Sequence, residues 1–261
     1  MQSDLDPHTA RATLEWLVEM GCDEAITNVP IDRTALPDRM PGPIAAKQAA
    51  PTIAAADPDA LADPVREAEQ AAAAARDLPA LCDALAAYPW CDLRLGAKSL
   101  VFSDGQPQAR VMVIGEAPGR DEDRQGKPFV GAAGQLLDKM FAAIDLARNH
   151  ADPSHAVYIT NVLPWRPPSN RDPEPGEVAM MLPFLKRHVA LADPDILILM
   201  GNHSCNALLG RRGITRLRGQ WTEALGRPVL PMLHPAYLLR QPHAKGDSWA
   251  DLLSLRARLD T

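Results

Sequence analysis

Four short apolar runs in this 261-residue chain each end in residues able to do chemistry. Val111-Met112-Val113-Ile114 leads into Gly115-Glu116-Ala117-Pro118-Gly119, and Val157-Tyr158-Ile159-Thr160 leads into Asn161. Ile196 to Met200 leads into Gly201-Asn202, and Val229 to Leu233 into His234-Pro235. A carboxylate can hold a water or stabilise a cation, a carboxamide sets an acceptor beside a donor, and an imidazole can donate a hydrogen bond or carry a proton. Gly115 and Gly119 flank a tight loop whose backbone amides can approach a ligand closely. It is not a P-loop, because no Gly-Lys-Ser/Thr follows. Each residue also has a plainer reading on its own: Asn161 as a turn residue, His234 as a structural histidine, either glutamate as a helix cap.

The elements that must position these groups follow from the patterning. Between the apolar runs lie helical patterns at about 132–146, 175–191, 203–209 and 248–259. Strands that are apolar on both faces and alternate with helices predict an α/β fold, a parallel sheet covered on both sides. In such a sheet, ligands bind beyond the carboxyl ends of the strands, where the Glu, two Asn and His converge.

The Gly115 loop is followed by Asp121-Glu122-Asp123 and by Gly126-Lys-Pro-Phe-Val-Gly131, and here a resemblance becomes specific. The motifs Gly115-Glu-Ala-Pro-Gly119, Pro128-Phe-Val-Gly131, Thr160-Asn-Val-Leu-Pro-Trp-Arg-Pro-Pro168 and His234-Pro-Ala-Tyr-Leu-Leu-Arg240 stand in the order found in uracil-DNA glycosylases of the family-four type. The similarity runs from about Leu85 to the C-terminus. It implies a three-layer α/β/α sandwich around a four-stranded parallel sheet, and a DNA-repair hydrolase that flips uracil out and cuts its N-glycosidic bond. By the same resemblance Phe129 is the platform on which the base stacks, and Asn161 reads the uracil edge beside Gly115 and Ala117. His234 donates to uracil O2, and Glu116 orients water or steadies the cationic sugar. Glu122 either crowds the C5 side of the base or caps the following helix. Arg166, Asn170, Arg171, Arg240 and Lys245 are expected phosphate contacts, and Leu238 or Leu239 the wedge that fills the emptied stack.

Many members of that family hold a four-iron cluster on four cysteines. The four cysteines here are Cys22, Cys82, Cys91 and Cys205, with no C-x-x-C pair. Only Cys91 stands near an expected ligand position; Tyr88 takes the place of its partner, and Met180 and Met181 lie where the third would be. One thiolate cannot hold such a cluster, so no cluster, metal or other cofactor is expected. Tyr88, Trp90 and Leu93 are expected to hold that loop by packing instead.

The net charge of −6 hides an asymmetry, −10 over residues 1–160 and +4 over 161–261, so a basic C-terminal region can face phosphates. The acidic start, Met1 to Asp6, lacks the basic segment and apolar core of a signal peptide, and no run approaches a membrane span of about 20 apolar residues. The expectation is a cytoplasmic, nucleoid-associated bacterial monomer acting on uracil-containing DNA without a membrane. Residues 1–27 read as a helical segment, 28–64 as a Pro/Ala-rich flexible linker and 65–261 as the α/β/α domain. The N-terminal part is either a tether for a protein partner or an appendage. The rival reading is a uracil-DNA binding protein of the same superfamily that traps DNA covalently without turnover. Those relatives carry a histidine-bearing insertion after the second strand, whereas this chain reads Trp165 to Arg171 there, without histidine.

Overall fold

The computed structural model describes residues 58–260, with side chains from Pro64 onward. The helical segment expected over 1–27, and the linker up to residue 57, lie outside the described residues. Helix α1 (Pro58–Ala74) starts within the stretch read as linker. Its Ala and Glu content favours helix, and Pro58 stands at the first position, where a missing N–H costs nothing. It is followed by α2 (Leu78–Ala87), α3 (Leu93–Gly96) and the two-residue strand β1 (Asp104–Gly105). Then come β2 (Val111–Gly115), α4 (Arg120–Gln125), α5 (Ala132–Ala142), β3 (Val157–Asn161), α6 (Pro175–Ala192) and β4 (Ile196–Met200). The chain closes with α7 (Asn202–Leu209), α8 (Ile214–Leu217), β5 (Thr222–Ala224), β6 (Arg227–Met232), α9 (Pro235–Arg240) and α10 (Lys245–Leu259).

The sheet order is β1-β3-β2-β4-β6-β5. The four apolar runs form its parallel centre, β3-β2-β4-β6, and short antiparallel strands extend each edge. The four-stranded sheet implied by the resemblance is therefore the middle of a six-stranded one. The β5–β6 hairpin closes through Leu225 and Gly226, both at positive φ (53° and 69°), the geometry that matches the twist of paired strands.

Every residue of β2, β3 and β4 is buried, and strand alternation sends them into two cores. Met112, Ile114, Tyr158, Leu197 and Leu199 pack under α1, α2 and α6. Val111, Val113, Val157, Ile159 and Ile198 pack against Leu137 and Phe141 of α5 and Leu252 and Leu255 of α10. Helix α5 stops at Ala142, short of the expected 146, because the chain turns at Asp145 (φ 61°) and returns Leu146 to the core.

Chain order against sheet order decides where a ligand can sit. From β2 the chain steps outward to β3, then crosses back over to β4 and β6 on the other side. The loops leaving β2 and β4 diverge from neighbouring strands and open a crevice between them. That crevice is a cleft of about 530 Å³.

Candidate active site

Gly115 and Asn161 are the last residues of β2 and β3 and register partners. A Cβ on Gly115 would lie 2.3 Å from Asn161 Oδ1 and 2.6 Å from the Phe129 ring. Two strand ends and the Phe129 loop thus close on one another at the floor of the cleft. Asn161 is 6% exposed and lines the cleft, and its carboxamide has no side-chain hydrogen bond among the described residues. Its amide atoms open onto the cleft, where a ligand can reach them.

His234 caps the N-terminus of α9: its Nδ1 accepts the backbone N–H of Ala236 at 3.1 Å. A neutral imidazole with an accepting Nδ1 carries its proton on Nε2. Burial, reinforced by the Arg240 charge and opposed by Glu122, pushes the His234 pKa down to about 4. The ring is therefore a neutral donor near pH 7. It stacks on Phe129 with centroids 5.4 Å apart and planes 28° apart.

Phe129 sits at positive φ, 54°, a conformation disfavoured for an aromatic residue. Its neighbours impose it. Arg148 donates through Nη2 to the Phe129 carbonyl (2.9 Å) and through Nη1 to that of Pro128 (3.0 Å). Glu122 Oε1 accepts the N–H groups of Val130 (2.9 Å) and Gly131 (2.8 Å). Its Oε2 accepts Gly119 N–H (3.1 Å), which ties the β2 loop to the Phe129 loop across α4. Of the two readings open for Glu122, the geometry matches the cap, and Glu122 also lines the cleft.

Glu116 occupies the switch point. Burial pushes its pKa up, His203 acts against that and Asp172 adds to it. His203 Nε2 is 3.8 Å from Glu116 Oε2 and 3.6 Å from Asp172 Oδ2. Among the described residues these three form the one constellation of metal-ligand types. Asp172 is exposed on its Pro-rich loop. Asn202, expected in the site, lines the cleft, but its Oδ1 accepts Gly213 and Ile214 N–H at the start of α8.

The basic residues divide. Arg171 is held by Glu177 (2.5 and 3.0 Å) and Glu174 (3.2 Å) at the head of α6. Arg166 Nε donates to Asn170 Oδ1 at 2.7 Å, and Arg240 and Lys245 are exposed. Of the two wedge candidates, Leu238 is buried and Leu239 is 45% exposed. Ala117 lines the cleft beside Glu116.

Residues 102–253, more than half of the chain, match the Uracil DNA glycosylase superfamily. The chain belongs to that superfamily. It is 38% identical over 165 residues to the Type-4 uracil-DNA glycosylase of Sulfurisphaera tokodaii, covering 59% of this chain and 72% of the relative. The Type-4 uracil-DNA glycosylase of Archaeoglobus fulgidus is 38% identical over 170 residues (62% and 82%). That of Thermotoga maritima is 37% identical over 153 residues (58% and 77%).

The positions at which the family-four resemblance implies cluster cysteines carry other side chains in this chain. Tyr88 packs edge-on against Phe184 and donates to the Pro64 carbonyl at 2.7 Å. Cys91, Leu93 and Met181 are buried in the same core. Trp90 is largely exposed and donates to Glu67 at 2.6 Å. Among the described residues no three cysteines come together, so these side chains do not fit a thiolate-held cluster.

Three residues that touch side chains or backbone of the site lie outside the motifs read from the sequence: His203, Asp172 and Arg148. His203 lies three residues past the end of β4, so the strand-end rule reaches it. Nothing local marks the other two.

Proposed function

We propose that this protein excises uracil from DNA by hydrolysing the N-glycosidic bond, leaving an abasic site. The observation that carries the reading is the Asn161 carboxamide, on a 6%-exposed residue, without a side-chain hydrogen bond among the described residues and set between Gly115, Phe129 and the open cleft. A base in a duplex must be flipped out at a cost of a few kcal/mol. Stacking on Phe129 offsets about 1–3 kcal/mol of that. Asn161 then accepts from uracil N3–H and donates to O4. Cytosine reverses both groups and would leave buried polar atoms unpaired, a penalty of about 1–3 kcal/mol each.

As the bond breaks, negative charge gathers on uracil O2 and positive charge on the sugar. The Nε2–H of His234, fixed in its tautomer by Ala236, is preorganised to donate to that oxygen, an effect of about 2.7–4 kcal/mol for a well-placed donor. Glu116, ionised, faces the sugar side and orients the attacking water or stabilises the cation. Arg166, Arg240 and Lys245 contact phosphates, which hold the DNA without reading sequence; Arg171 with Asn170 shapes the loop that carries Arg166. Leu239 enters the stack behind the extruded base. The enzyme acts as a monomer in the cytoplasm, at the bacterial nucleoid.

In this reading no iron–sulfur cluster is needed, and Tyr88, Cys91 and Met181, buried in one core, support that. Iron analysis and visible absorbance of anaerobically purified protein check this; stoichiometric cluster overturns it. The activity test uses end-labelled oligonucleotides with one uracil, excess enzyme and hot alkali, with EDTA present. Cleavage at uracil by the wild type, much reduced in Asn161→Ala and His234→Ala, supports the reading. A second reading, covalent trapping without turnover, draws on the His203 imidazole beside Glu116. It predicts a protein–DNA band that survives denaturation.

A further inference from the structure

We propose that Arg148 is a positioning residue for uracil excision, one that holds the Phe129 platform in the backbone conformation that a stacked base requires. The inference rests on the reading of Phe129 as that platform.

Arg148 follows α5 by six residues and is not among the residues lining the cleft. Its side chain is 15% exposed, and its Nε, Nη1 and Nη2 all have partners within the protein. Nη2 reaches the Phe129 carbonyl, Nη1 the Pro128 carbonyl and Asp104 Oδ2 (2.9 Å), and Nε reaches Asp138 Oδ1 (2.9 Å). Two consecutive carbonyls can meet one guanidinium only if the peptide between them turns, and Phe129 makes that turn at φ 54°. On the far side Glu122 takes the next two amides. The Phe129 segment is thus gripped by its carbonyls from one side and by its amides from the other. Below it, Gly134 is essential: a Cβ there would lie 1.8 Å from the Phe129 carbonyl oxygen.

The charge pattern argues against the usual role of an arginine in a DNA-binding protein. Asp104 and Asp138 both pair with Arg148, and Lys127 neutralises the other oxygen of Asp104 at 3.2 Å. A half-buried guanidinium already satisfied by two carboxylates and two carbonyls has little left for a phosphate. The planar fork suits this task as an ammonium does not, since a single Nζ cannot span all four acceptors. Release of the two carbonyls lets Phe129 relax toward negative φ, which swings its ring away from Gly115 and His234.

The test compares wild type, Arg148→Met, Arg148→Lys and Gly134→Ala, each first checked for cooperative thermal unfolding. Three quantities are read: the single-turnover excision rate at saturating DNA, the Kd for abasic-site DNA, and inhibition by free uracil. Wild type that does not excise uracil defeats the functional reading itself, independently of Arg148. Given active wild type, Arg148→Met lowers the excision rate by about 10- to 100-fold, the cost of misplacing a contact by an ångström or so. Uracil inhibition weakens in parallel while abasic-DNA affinity holds. Arg148→Lys falls between. Gly134→Ala, which displaces the same carbonyl from the other side, reproduces the pattern and decides the matter if Arg148→Met does not fold. An unchanged rate in the folded variants overturns the proposal. So does a weakened Kd with a salt dependence reduced by about one phosphate contact and a normal rate at saturation, the signature of an arginine on DNA.

Discussion

Gly115 and Asn161 close the β2 and β3 strand ends so tightly that no side chain fits between them: a Cβ at 115 would lie 2.3 Å from Asn161 Oδ1. Gly115 lies in β2, with φ outside the left-handed region, so the requirement is steric rather than conformational. The same missing Cβ admits the Phe129 edge at 2.6 Å. Asparagine, platform and glycine are therefore one unit.

Gly115→Ala should cut uracil excision by about 100-fold, because a base-reading amide displaced by an ångström loses its alignment. Overpacking of this kind costs about 1–3 kcal/mol of stability, so the variant should remain folded. Excision kinetics beside a urea unfolding curve measure both; wild-type kinetics would show that the base does not sit against this pair.

The pH dependence of activity should carry the mark of Glu116. Its pKa lies above the ordinary carboxylate range because of burial, and the His203 charge restrains the rise. If Glu116 works ionised, the rate falls as pH drops through that raised value. The acidic limb disappears in Glu116→Gln and moves to higher pH in His203→Gln, where the restraining charge is gone. A limb that stays in place in both variants would assign it to another group.

Stability should also fall on acidification, for a reason located in two histidines. Burial holds His188 down to about 3 and His234 down to about 4. His188 is hydrogen-bonded to Tyr158 at 2.9 Å and stacked on Phe102. In the unfolded chain both titrate near pH 6.5, so below that pH the unfolded state binds protons that the native state refuses. The contribution to stability is flat above about 6.5 and declines as pH falls, through about 4 for His234 and about 3 for His188. Each histidine gives a slope approaching 1.4 kcal/mol per pH unit, about the value of one proton. Denaturant titrations from pH 7 to 4.5 measure the slope, and it should be shallower in His188→Gln.

Leu239→Ala should slow excision from duplex DNA more than from single strands, since only a duplex leaves a gap for a wedge to fill. Leu238→Ala, at a buried position, should instead destabilise the fold by about 2–5 kcal/mol. Equal loss on both substrates in Leu239→Ala would remove the wedge.

The sequence by itself determined the parallel centre of the sheet, because strands buried on both faces must be apolar throughout and cannot be disguised. It also pointed to the strand-end chemistry: Glu116, Asn161 and His234 stand at or within two residues of their strand ends, and the connectivity of such a sheet sends those ends to one edge. The resemblance to uracil-DNA glycosylases supplied the roles, and the superfamily match bears out the kinship. Only the tertiary structure decided which polar groups were free. Glu122 and Asn202 lie at the site by sequence, yet their oxygens are taken by backbone amides brought close by folding. Arg171 looks like a phosphate contact until Glu177 is seen against it. Arg148 carries no local signal, for its partners lie 10 residues away at Asp138, 19 at Phe129 and 44 at Asp104. A side chain's donors and acceptors can be counted from its type, but what satisfies them is set by contacts between distant segments, and those exist only in the folded chain.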